Sequence, residues 1–145
     1  MIKNWKIRKD LSIEFDGHVL FRIECIRDFA EIKAGTLGGY IEKEENLSDN
    51  AWVADNAKIY GNACVYGNAR ICNNVCVYDN ARVFDKSWIS NEACVYDNAH
   101  VCDNAWVADN AKIYGNAWIC NNARIYDNAK IYGESRVCGI SEIYG

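Results

Sequence analysis

A single hexad register runs without insertion or deletion from Asp49 to Tyr144, 96 residues or 96/6 = 16 units, and it leaves the chain few folds to choose from. The fifth residue of every unit is Val or Ile, from Val53 to Ile143, and the third is Ala except at Val75, Ser87, Ser135 and Ser141. Alternation with a period of two puts the small third residue and the β-branched fifth residue on one side of a strand, with the fourth and sixth on the other. Most units open on Asp-Asn, Gly-Asn or Asn-Asn, residue types that tolerate the left-handed backbone conformation of a sharp bend. Each unit therefore reads as a short strand plus a corner, and tandem hexapeptides of this kind mark a parallel β-helix.

The number of units per coil follows from positions that did not define the unit. Taken at every third unit, the sixth residues give Tyr60, Tyr78, Tyr96, Tyr114 and Tyr132, while a second column reads Tyr66, Phe84, Cys102, Cys120, Cys138. Three units per coil make a triangular prism with 18 residues per turn. The block DNAWVADNAKIYGNA occurs at Asp49–Ala63 and again at Asp103–Ala117, an offset of 54 = 3 × 18, so the second copy should stand three coils above the first. Ile41 and Leu47 keep the same phase, which starts the solenoid near Leu37 and gives about six coils over 37–145. At the ~4.8 Å spacing of parallel ladders such a rod is on the order of 29 Å long.

Residues 1–36 do not repeat and are expected to form a separate capping segment. Apolar alternation on both sides of Asp16-Gly17 predicts a β-hairpin over Leu11–Ile26 with a type I′ turn. A cap at this end would cover an unpaired ladder edge and an open core. At the other end the pattern decays in GESRVCGISEIYG, where Glu134 and Ile140 replace the corner asparagine, and that coil is the expected place for homodimerisation.

Composition narrows the partners. The 145 residues carry a net charge of −4, which argues against a nucleic-acid binder. Corner aspartates such as Asp79, Asp85, Asp97, Asp103 and Asp109 dilute the field of the outward Lys and Arg residues further. No apolar run is long enough for a membrane span, and MIKNWKIRKD lacks a signal-peptide core. A cytoplasmic protein with its eight cysteines reduced is the expectation. Stacked cysteines do not converge as tetrahedral zinc ligands do, so no metal is expected, nor any cofactor.

The repeats IYGNACVYGNARIC at Ile59–Cys72 and WVADNAKIYGNAWICNNARIYDNAKIYG at Trp106–Gly133 resemble the YdcK-type β-solenoid within the left-handed hexapeptide-repeat β-helix family. Gly17–Ser48 resembles the lead-in segment of many phage and prophage members. The resemblance implies an all-β, single-stranded left-handed parallel β-helix. It also implies a host-cell cytoplasmic setting and, as one specific role, inhibition of a host defence protein.

Two function classes compete. Hexapeptide-repeat acyltransferases work as trimers and generally use a histidine base, for which His100 is the candidate here; it sits on a regular strand with no inserted loop to build a pocket. The leading expectation is a non-enzymatic binding protein that meets another protein through one outward face. That face carries Trp52, Arg70, Trp88, Trp106 and Arg124, and Lys86 and Glu92 break the corner pattern on either side of Trp88. Exposed Trp and Arg are the residue types most enriched at interface hot spots.

Overall fold

The structure, a computed structural model, describes residues 3–145 and is all-β apart from a single 3-10 turn at Glu44–Asn46. Three longer strands, β1 (Trp5–Phe15), β2 (His18–Cys25) and β3 (Leu37–Ile41), lead into sixteen two-residue strands, β4 (Trp52–Val53) to β19 (Glu142–Ile143). Each short strand holds the fourth and fifth residues of one hexad, and its parallel neighbours lie 18 residues before and after, as in Arg70↔Trp88↔Trp106. The short strands sort into three faces of a β-solenoid with about six turns.

Backbone groups are satisfied in a repeating way. Amides of the second, fourth and sixth residues donate to the coil that follows: Asn104 to Asn121 O, Trp106 to Ala123 O and Ala108 to Ile125 O, each at 2.9 Å. The third amide closes the bend within its own coil, as when Ala105 donates to Cys102 O at 3.2 Å. The first residue of the hexad takes the left-handed conformation, with φ of 57 to 60° at Asp85, Asp103 and Asp109. Its side chain also has a task that conformational tolerance alone does not explain: it accepts the amide of the first residue one coil on. Asp97 Oδ2 takes the Gly115 N–H at 3.0 Å, Asp103 Oδ2 that of Asn121 at 2.8 Å, and Asp109 Oδ2 that of Asp127 at 3.0 Å.

Third and fifth residues fill the interior as the alternation requires; Ala99, Val101, Val107 and Ile113 are all fully buried. Ser87 is equally buried in an alanine position because its Oγ donates to Phe84 O at 2.9 Å. Such a bond offsets the desolvation of a hydroxyl that would otherwise cost about 1–3 kcal/mol.

The N-terminal hairpin is longer than expected. The strand preceding the turn begins at Trp5 rather than Leu11, and its register with β2 shifts between Arg8 and Ser12. Asp16 and Gly17 have φ of 52° and 79°, as a type I′ turn requires. The hairpin covers the ladder edge of the first coil and closes the core at that end. β2 pairs antiparallel with β3, and β3 pairs parallel with Lys58–Ile59, so the hairpin extends one face of the rod. Trp5, Ile23 and Cys25 join the same buried cluster as Ile41, Val53 and Val65, giving one continuous core. His18 Nδ1 meets Glu42 Oε2 at 2.8 Å, and Glu42 Oε1 accepts the Gly61 amide at 2.8 Å. Burial pushes the Glu42 carboxyl up, but these two partners outweigh it and hold the pKa below the usual value.

One expectation about the cysteines is corrected. Cys120 and Cys138 stack in the predicted column, yet they form a disulfide rather than a pair of free thiols. Adjacent coils hold their Cα atoms 4.7 Å apart, within the range a disulfide spans.

Candidate functional site

The five residues of the expected Trp/Arg column share one sheet in the predicted order, but their surroundings differ. Trp52 is only 3% exposed: Phe29 packs edge-on against it with ring centroids 5.8 Å apart. Arg70 is tied to the same N-terminal segment, its Nε and Nη2 donating to Glu31 at 2.8 and 3.2 Å and its Nη1 to Asn50 O at 2.8 Å. That guanidinium holds the Glu31 carboxyl below the usual carboxylate range. The lower third of the face is therefore structural.

The middle is open. Trp88 is 55% exposed and Trp106 40%, and the two are direct register neighbours. Trp88 Nε1 donates to Cys72 Sγ at 3.4 Å, which fixes the ring at one edge, and Arg124 lies 5.4 Å from the Trp106 ring as a cation–π partner. Lys86 and Glu92 flank Trp88 at the two corners that bound this face. The backbone passes both without distortion, Lys86 N–H donating to Asp103 O and Glu92 N–H to Asp109 O at 2.9 Å. The interruption of the asparagine pattern therefore changes side chains and leaves the ladder intact. Glu92 Oε1 accepts from Asn74 Nδ2 at 3.0 Å, whereas Lys86 joins Asp85, Asp103 and Asn104 along a shallow corner groove.

Aromatic side chains elsewhere on the rod mostly stack on each other. Tyr60, Tyr78, Tyr96 and Tyr114 follow at centroid distances of 5.0 Å, nearly parallel. On the third face His100 lies flat on Trp118 at 4.4 Å, and Arg136 lies 5.6 Å from the Trp118 ring. His100 Nδ1 faces Asn98 O at 3.0 Å, and His100 does not line the corner grooves, which are built of Asp, Asn, Gly, Lys and Glu. The His100 ring is thus held between the face of Trp118 and the edge of Phe84, 6.5 Å away.

Among the described residues, Asp85, Cys102 and Asp103 bring potential metal-binding atoms within 4.8 Å of one another. Those atoms have other roles. Asp85 Oδ2 accepts the Asp103 amide at 3.2 Å, Asp103 Oδ2 the Asn121 amide, and Cys102 Sγ donates to Ile119 O at 3.6 Å. Burial raises the Cys102 pKa and keeps that thiol protonated.

These features define a β-solenoid repeat protein whose chemistry lies in side-chain columns on a rigid surface. A family model described as YdcK Beta solenoid repeat matches residues 57–73, so the chain is similar to that family over one coil. No curated protein matches the chain. No helix among the described residues is long and apolar enough to cross a membrane.

Proposed function

We propose that the protein is a non-enzymatic binding module that docks a protein partner on the Trp88–Trp106 segment of its Trp/Arg face, with Arg124, Lys86 and Glu92 at the rim. The observation that carries this reading is the exposure of two register-neighbouring tryptophans on a rod whose other aromatic columns are largely self-stacked or covered. Rigid aromatic anchors with a charged rim are the usual make-up of an interface hot spot. Trp52 and Arg70 support the N-terminal end of this face, packed against Phe29 and paired with Glu31. Within this reading, the resemblance of Gly17–Ser48 to phage and prophage members favours a host defence protein as the partner, which the module would inhibit.

The test is an affinity capture from bacterial lysate using wild type, a Trp88→Ala/Trp106→Ala variant and a Lys112→Ala/Lys130→Ala control from another face, all matched for melting temperature. A partner retained by wild type and control and lost from the tryptophan variant supports the assignment. Retention by the tryptophan variant moves the interface elsewhere. A trimer with acyltransferase activity that depends on His100 would replace the reading altogether.

A further inference from the structure

The face that adjoins the Trp/Arg column carries a different arrangement. Its fourth positions run Tyr40, Lys58, Cys76, Cys94, Lys112, Lys130, each in parallel register with the next. Two half-buried thiols are thus stacked directly on one another, with a lysine in register below and above. The stacked Tyr78 and Tyr96 rings, 5.0 Å apart, belong to the neighbouring column of the same strands.

No other free cysteine has this setting among the described residues. Cys25 is buried at the end of β2 with its thiol donating to Arg27 O, Cys64 has Arg82 as its register neighbour, Cys72 accepts the Trp88 indole N–H, and the thiol of Cys102 points to Ile119 O. Cys120 and Cys138, also 18 residues apart, show that adjacent coils of this rod accommodate a disulfide.

We infer that Cys76 and Cys94 are a second inter-coil thiol–disulfide pair, a modification site that reacts with hydroperoxides, with Cys94 as the attacking thiol and Cys76 as the resolving one.

The division of roles follows from the surroundings of each sulfur. The Cys76 thiol and the Lys112 ammonium, the register neighbours of Cys94, together outweigh burial and the nearby Glu92 carboxylate and lower the Cys94 pKa, while the Cys94 thiol faces Glu92 O at 3.8 Å. The proximity of Cys94, with burial, raises that of Cys76 against the Lys58 ammonium. Nucleophilic attack requires the thiolate; the Lys58 ammonium beside Cys76 is turned to Asn56 O and the Phe15 ring, whereas Lys112 stands in register beside Cys94, which places the first step on Cys94.

In that step the Cys94 thiolate attacks a peroxide oxygen. The O–O bond breaks, the departing alkoxide or hydroxide takes a proton from solvent, and Cys94 becomes a sulfenic acid. Cys76 then attacks the Cys94 sulfur, the S–O bond breaks, and the leaving hydroxide receives the Cys76 proton and departs as water. Overall, two thiols and one hydroperoxide give one disulfide, one alcohol or water, and one water. The peroxide gains the two electrons that the sulfurs lose.

The experiment treats wild type, Cys76→Ser and Cys94→Ser with hydrogen peroxide, and reads intact mass, fragment spectra and dimedone trapping. Wild type should lose a pair of hydrogen atoms and give fragments linked at Cys76 and Cys94. Cys76→Ser should accumulate a dimedone adduct on Cys94, while Cys94→Ser should leave Cys76 reduced. Without peroxide, Cys94 should alkylate at least about tenfold faster than Cys64, as a lowered thiol pKa requires. Circular dichroism checks that each serine variant keeps its fold, with Cys76→Ala and Cys94→Ala as substitutes. A peroxide-dependent link at any other cysteine, beyond the Cys120–Cys138 disulfide present from the start, or alkylation of Cys94 no faster than that of Cys64, overturns the assignment.

Discussion

Asp103 Oδ2 accepts the backbone N–H of Asn121, the residue directly above it one coil on, at 2.8 Å, and also meets Asn121 Nδ2 at 3.2 Å. One side chain thus supports a left-handed bend in its own coil and an otherwise unpartnered amide in the next. Three variants separate these contributions. Asp103→Asn keeps both and should be near neutral; Asp103→Gly keeps the bend and loses the acceptor, costing about 1 kcal/mol. Asp103→Ala loses both and should cost roughly 2–3 kcal/mol, the acceptor plus the penalty for a β-carbon in that conformation. Chemical denaturation of the three proteins gives the ordering.

Gly38→Ala tests the join between the N-terminal segment and the first coils. A β-carbon there would lie 2.6 Å from Val53 O and 2.7 Å from the Trp52 ring, neither of which can move without opening the core. Overpacking of this kind costs about 1–3 kcal/mol. An unchanged melting temperature would mean that the hairpin shifts freely on the rod.

Val107→Asp places a carboxylate in a fully buried site whose register neighbours are Ile89 and Ile125. With no polar partner within the prism, the charge should abolish cooperative folding. Far-UV circular dichroism of the purified variant checks this, and a native-like melt would refute the inward assignment of the fifth residue.

Trp88 and Trp118 should respond differently to truncation. Trp88 is 55% exposed, so Trp88→Ala is expected to change stability by less than about 0.5 kcal/mol. Trp118 lies against His100 and Arg136, and losing both stacking contacts should cost roughly 1–2 kcal/mol. Urea midpoints of the two variants measured together decide the point.

Acid should loosen the attachment of the N-terminal segment. Because Arg70 lowers the Glu31 pKa in the folded state, the pair stabilises above the ordinary carboxylate range. That stability is lost as pH falls through the lowered folded-state value. Glu31 is largely exposed, which limits the effect to below about 1 kcal/mol. The stability difference between wild type and Glu31→Gln should therefore be largest near neutral pH and vanish in acid.

The hexad register made the coil length, the three faces and every outward column legible in the sequence, since Val53 to Ile143 can all point inward in only one phase. What the N-terminal segment does to the first coils was not legible. Trp52 and Trp106 occupy the same place in two identical blocks, yet one is 3% and the other 40% exposed. The difference is made by Phe29, which no periodic pattern links to Trp52. The early start of β1 was hidden for a related reason: the shift between Arg8 and Ser12 breaks the alternation that would have revealed it. In the sequence the corner aspartates mark bends, and their role as acceptors becomes visible only when residues 18 apart are placed in register. The same comparison brings Cys120 beside Cys138, but the column alone did not distinguish a bonded pair from two stacked thiols.

The two copies of the fifteen-residue block stand three coils apart in identical columns. Recombination between them would excise 54 residues, three whole turns, and join the remainder at a seam where each ladder amide, corner acceptor and outward column meets its own kind. The shortened rod would bring Trp106 beneath Phe29 in place of Trp52, and would lose both Trp88 and the Cys76–Cys94 pair. Length in this architecture can therefore be inherited in discrete steps, with whole surface features gained or lost while the hydrogen-bonding scheme of the remainder is unchanged.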